Sequence, residues 1–176
     1  MKIFWIMVMG PLFFWSLSSE SHREFLENRL VDRISQEMGV PGTLLKAIAC
    51  CESGVGKKKT PWMWTLNWGG RAFYCKSHPA MKLKLIALLN SGKINIDIGP
   101  LQINWKWHGK KFDSIEQAVD PYQNMLLAAR FLKELHKEFG SWGKAVGAYH
   151  SRNKEKSKVY TALIVKQFKR MGLRAA

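Results

Sequence analysis

The chain has 176 residues, of which 47% are hydrophobic, and shows no linker, internal repeat or low-complexity tract. That leaves room for one compact domain with its own core and excludes a multidomain arrangement. The net charge is +15, so an anionic polymer is favoured by long-range attraction, with nucleic acid the usual first candidate at this pI. Three cysteines and five dispersed histidines without C-x-x-C or ligand spacing exclude a zinc site, and nothing calls for a cofactor.

From the N-terminus, Lys2 and the apolar run Ile3 to Trp15 read as an export signal. Ser16-Leu17-Ser18-Ser19 supplies the cleavage region, so residues 1–19 are a signal peptide and 20–176 one domain. The run is shorter than the roughly 20 residues a membrane span needs and is broken by Gly10-Pro11. Cleavage and a periplasmic location are therefore expected, with an uncleaved inner-membrane anchor as the alternative.

Leu26, Leu30, Ile34 and Met38 recur every four residues and predict a helix over His22 to Met38, ended by Gly39. Thr43 is the expected N-cap of a second helix, Leu44 to Ser53, stopped by Gly54. Glu52 ends that apolar run, where burial disfavours the charged carboxylate and raises its pKa, as a general acid requires. A lysine-rich loop follows. Alternation through Trp62, Trp64, Leu66 and Trp68, then Gly69-Gly70, then Ala72-Phe73-Tyr74 predicts a hairpin whose rings form a small core rather than a sugar platform.

Pro79 opens a helix through Leu89, and Ile94 to Ile98 alternates into Gly99-Pro100-Leu101-Gln102. Asp97, the acidic residue nearest that segment, reads as a polar face residue. Ser114 with Gln117 resembles a capping box, and Asp120-Pro121 starts a long helix ended by Gly140. Ser141 caps a short helix through Tyr149. After a basic loop, Tyr160, Leu163, Ile164, Phe168 and Met171 mark the apolar face of a last helix. The fold class is mainly α (α+β).

Three motifs in order carry a resemblance: Cys51-Glu52-Ser53-Gly54, Gly99-Pro100-Leu101-Gln102-Ile103-Asn104 and Ala148-Tyr149-His150. They resemble the E-S, G-L-M-Q-[IV]-N and A-Y-N motifs of the soluble lytic transglycosylase family, over most of the chain from Val40 onward. The resemblance implies a lysozyme-like helical domain with a small β-hairpin insert, acting on the glycan strands of peptidoglycan. It also implies that Glu52 protonates the glycosidic oxygen and then, as carboxylate, deprotonates the muramic acid C6 hydroxyl, which closes a 1,6-anhydro sugar. Most glycosidases use two carboxylates; here no motif fixes a second.

Carried over residue by residue, Ser53, Gln102, Tyr149 and His150 bind substrate, with the Tyr149 hydroxyl orienting Glu52. Asn104 and Asn124 are structural. Pro100 and Leu101 depart from the usual motif and should shift the groove floor. His150, in place of asparagine, should make binding pH-sensitive. The long insert, with W-T-L-N and N-I-D-I-G, resembles the subset associated with conjugation and type IV secretion. An envelope-spanning complex is the implied partner of a monomeric enzyme.

In an oxidising compartment Cys75 is expected to pair with Cys50 or Cys51, which point about 100° apart on their helix, so only one can face it; the alternative is three reduced, buried cysteines acting as small apolar residues. Competing readings are a hydrolytic lysozyme of the same fold, an inactive cell-wall-binding module, and a nucleic-acid binder, which export opposes.

Overall fold

The computed structural model describes residues 28–57 and 59–172. The export signal, the start of the first helix and Lys58 lie outside the described residues. The first helix, α1, is described over residues 28–38 and buries Val31 and Ile34. Next comes α2 (Gly42–Ser53), the central helix, with Leu45, Ala47 and Ile48 almost wholly buried. It begins earlier than Thr43 predicts: Pro41 is the N-cap and no side chain caps it, because proline supplies the φ that opens the turn. Gly54 has φ −66°, so it is not a left-handed stop. Glycine is needed there because a Cβ would collide with the Cys50 carbonyl.

The hairpin forms between β1 (Thr65–Trp68) and β2 (Arg71–Tyr74). Gly69 and Gly70 take φ of 60° and 80°, the positive values a two-residue hairpin turn requires. The β element is larger than a hairpin. β3 (Ile96–Ile98) and β4 (Ile103–Asn104) extend it to a four-stranded antiparallel sheet in the order β2-β1-β3-β4. Between β2 and β3 lies α3 (His78–Asn90), N-capped by Ser77.

A short helix, α4 (Trp105–His108), and a 3-10 turn follow β4, in a stretch too short and too basic for periodicity to reveal. Next come α5 (Ile115–Val119), α6 (Pro121–Phe139), α7 (Trp142–His150) and α8 (Lys154–Arg170). The expected caps of α5 and α6 are present. Ser114 accepts from the Gln117 amide at 3.1 Å and Asp120 from the Gln123 amide at 2.9 Å, while Gly140 ends α6 at φ 69°. The Gln117 side chain returns to the Asp113 amide, one residue upstream of a reciprocal capping box.

Helix α7 packs between α6 and α8, and α8 packs on α2. Gly147 makes the α7–α8 approach possible, because a Cβ there would run into the Ser157 hydroxyl. The architecture is mainly α with a small antiparallel sheet, as the lysozyme-like expectation requires. Helix α2 brings Glu52 up from the core; β3, β4, α7 and α8 surround it.

Candidate active site

Glu52 lies on a cleft of about 800 Å³ that also receives Asp97, Gln102, Trp107, His108, Tyr149 and His150. It is the penultimate residue of α2, whose packing strips water from the carboxyl. That loss of hydration, reinforced by the negative charge of Asp97, pushes its pKa up to about 7 against an opposing hydrogen bond from Tyr160. The carboxyl is thus poised to hold a proton near neutrality and to give it up.

The group that orients Glu52 is Tyr160, whose hydroxyl donates to Glu52 Oε1 at 2.5 Å. This corrects the role expected of Tyr149. The Tyr149 hydroxyl donates instead to the Leu101 carbonyl at 2.7 Å, clamping the turn that carries Gln102. Tyr149 lines the cleft as a ring and anchor. The two tyrosines are brought to Glu52 from successive helices, and α8 approaches more closely than the motif pattern discloses.

That turn is held tightly. Gly99 has φ 76°, and its missing Cβ makes way for the buried Asn124, which donates from Nδ2 to the Ala118 carbonyl at 3.1 Å. Gln102 sits at φ 48°, a conformation costly for a side-chain residue, and donates from Nε2 to the Gly99 carbonyl at 2.8 Å. Its amide is therefore presented to the cleft in one fixed place. Asn124 is structural, as expected. Pro100 and Leu101 do not form the groove floor. Leu101 is 1% exposed, and Pro100 lines a separate small cavity with Ala49 and Met125, because the left-handed turn swings both away from the cleft.

Ser53 does not reach the cleft either. It is 2% exposed, donating to the Ala49 carbonyl at 3.0 Å and accepting from the Trp62 amide at 3.3 Å. It fastens the loop after α2 to the helix end. His150 does reach the cleft, stacked flat on Tyr160 with centroids 4.4 Å apart. Burial and Lys156 depress its pKa while Asp97 raises it, so the ring is neutral at pH 7.

Asp97 is more than a strand-face residue. Paired with Asn104 across β3 and β4, it accepts from Asn104 Nδ2 at 2.8 Å and shares the cleft with Glu52. Desolvation raises its pKa while the Asn104 bond and His150 lower it. Trp107, 70% exposed, and His108, packed on Phe131 at 4.7 Å, complete the far end and were not singled out by motif reasoning. Alternation W-K-W-H directly after Asn104 was the available signal. The hairpin tryptophans stay out of the cleft, with Trp62 edge-on to Tyr74 and donating to the Cys75 carbonyl at 2.8 Å.

The expected bridge from Cys75 is not formed, and the cysteines are thiols. Cys50 is turned into the core, and Cys51 points to α8, donating to the Leu163 carbonyl at 3.9 Å. The Cys75 side chain lies close enough to Lys84 of α3 to feel its charge, and its thiol is pushed up by burial.

The family model described as Transglycosylase SLT domain matches residues 29–162, which takes in Glu52, the Gly99 turn, Tyr149 and Tyr160. No curated protein and no solved structure matches the chain significantly.

Proposed function

The chain belongs to the transglycosylase SLT domain family, and from that membership we propose that it is a lytic transglycosylase with Glu52 as its sole acid and base. The family acts on peptidoglycan. One observation carries the assignment: a carboxyl held near pKa 7 in a cleft, with a tyrosine hydroxyl on one of its oxygens. Such a group is protonated often enough to donate to the glycosidic oxygen of the bond between N-acetylmuramic acid and N-acetylglucosamine. Once ionised, it is basic enough to accept a proton from the C6 hydroxyl. That oxygen then attacks C1, the bond to the leaving sugar breaks, and the 1,6-anhydro ring forms without water. Gln102 and neutral His150 supply fixed hydrogen-bonding groups for acetamido and hydroxyl oxygens beside it.

A second reading rests on Asp97. A second carboxyl in the same cleft is what a hydrolytic lysozyme would use to activate water or steady the developing positive charge. Product chemistry separates the two. Mass spectrometry of muropeptides released from purified sacculi should find anhydro ends, whereas reducing ends throughout would establish hydrolysis. Glu52→Gln should abolish release under either reading.

The cellular setting is part of the proposal. The apolar run Ile3 to Trp15 supports export to the periplasm as a domain of residues 20–176, and the W-T-L-N and N-I-D-I-G insert supports local wall opening for a secretion or conjugation apparatus. Detection of the mature chain in a periplasmic fraction, beginning near Glu20, tests the first point.

A further inference from the structure

From Gly54 to Ile96 the chain carries eight lysines and arginines and no acidic residue; all 13 of its Asp and Glu lie outside this stretch. The stretch builds the hairpin, α3 and their connections. Among the described residues, no ion pair reaches Arg71, Lys84 or Lys93. Their charged heads lie instead over aromatic rings. Arg71 and Lys84 stand 5.3 and 4.6 Å from the centre of Phe73, and Lys93 stands 4.7 Å from that of Trp68.

The sheet register gathers these groups on one side. Trp68 pairs with Arg71 on β2 and with Ile96 on β3, while Phe73 pairs with Leu66. Directly opposed residues share a face, so Trp68, Arg71 and Phe73 continue the row of the buried Leu66 and Ile96. At the hairpin tip that row runs out of cover. Trp68 is 37% exposed there, and Ile94, just before β3, is 53% exposed. Asp97 and Asn104 project from the other face of the sheet into the cleft. A glycan would find no use for an exposed isoleucine, and a polynucleotide would take the cations and rings but leave Ile94 in water. A bilayer with anionic headgroups takes all three, with tryptophan at headgroup level and the cations on phosphates.

We propose that the hairpin tip and the adjoining edge of α3 dock the protein on an anionic phospholipid surface. Trp68 and Ile94 enter the headgroup boundary, and Arg71, Lys84 and Lys93 hold the phosphates around them. The attachment is peripheral, because two apolar side chains bury far less than a spanning segment does. It leaves the cleft, on the opposite face of the sheet, open to a polymer lying above the membrane. The inference goes beyond the catalytic reading and stands or falls without it.

The test is cosedimentation of the full chain with vesicles of phosphatidylcholine alone and of an equal mixture with phosphatidylglycerol. Any contribution from the run Ile3 to Trp15 is common to all variants, so each is read as a ratio to wild type. Arg71→Glu, Lys84→Glu and Lys93→Glu together should weaken binding to the mixed vesicles more than about tenfold, since each cation near such a surface is worth about fivefold. The same charge change on the helical bundle, Lys144→Glu with Lys158→Glu and Lys166→Glu, should cost less than about threefold, because those charges lie beyond a Debye length from the lipid. Trp68→Ser with Ile94→Ser should reduce the binding that persists at high salt. Melting curves confirm that each variant is folded; if the first set is not, Arg71→Gln, Lys84→Gln and Lys93→Gln replace it, with an expected loss of at least about fivefold. Equal losses in the two charge sets would overturn the proposal, as would wild-type binding indifferent to phosphatidylglycerol. A serine pair without effect would overturn it too, leaving the cations to an acidic protein partner.

Discussion

At Glu52 the same desolvation that the proposed acid role requires sets a stability penalty. Its folded pKa, about 7, is above the ordinary carboxyl value of 4.5, so the protonated form is the one folding favours. The stability linked to this group is full below the unfolded pKa and is lost as pH rises through the folded one. Glu52→Gln should therefore be indistinguishable from wild type in melting at pH 4. It should be more stable above pH 8, by at most about 3 kcal/mol. Activity of the wild type should fall as pH climbs past about 7, because the general acid loses its proton. An alkaline limb with no inflection near neutrality would count against Glu52 as the acid.

The two tyrosines separate at this scale too. The Tyr160 hydroxyl bond lowers the Glu52 pKa, so Tyr160→Phe should move the alkaline limb of the pH profile upward. It should also reduce turnover roughly tenfold, the worth of one charge-assisted hydrogen bond. Tyr149→Phe should leave the limb in place. Its cost is to stability, about 1–2 kcal/mol, because the buried Leu101 carbonyl loses its donor. Melting curves and pH–rate profiles on both variants check the assignment.

Between elements, the turn at Gly99 is where the sheet, α6 and the cleft are joined. Gly99→Ala would place a Cβ against Asn124 Oδ1 at a positive φ, so both strain and collision oppose it. Its cost should be at least about 2 kcal/mol, and combining it with Asn124→Ala should be clearly less than additive because the colliding partner is gone. Strict additivity in a thermal double-mutant cycle would show that the strain lies in the backbone alone.

What the elements reveal in sequence follows from how local their causes are. Asp120-Pro121, Ser114 and the Gly69-Gly70 turn act within a few residues, and all three are legible. So is Glu52, because the apolar run of α2 predicts its burial. Tyr160 is not, since its hydroxyl finds Glu52 across 108 residues and its position on an apolar helix face reads as core. Ser53 misleads for the opposite reason: its motif position suggests substrate, while local geometry spends its hydroxyl on Ala49 and Trp62. Strand β3 is legible in the alternation of Ile94 to Ile98, but β4 is two residues long and leaves no pattern that would announce the four-stranded sheet.

For the whole molecule, the excess of positive charge becomes directional once folded. The main cleft is bordered by the basic stretch Lys106 to Lys111 through Trp107 and His108, and by Arg152 of the basic loop before α8. Arg152 is itself fixed by a bidentate contact to Glu138, at 2.5 and 2.8 Å, which holds a planar cation at the cleft edge. A polyanionic wall should be drawn to this face by forces that reach about a Debye length, roughly 8–10 Å at physiological ionic strength. The proton transfer proposed for Glu52 would take place in a desolvated site that salt screens little. Raising ionic strength from about 0.05 to 0.5 M should therefore raise KM on sacculi severalfold and leave kcat nearly constant. Neutralising Lys110 and Lys111 together should flatten that dependence without moving the pH profile. If salt instead lowers kcat at constant KM, the charge acts on the chemistry and not on the encounter, and the basic rim is not a capture surface.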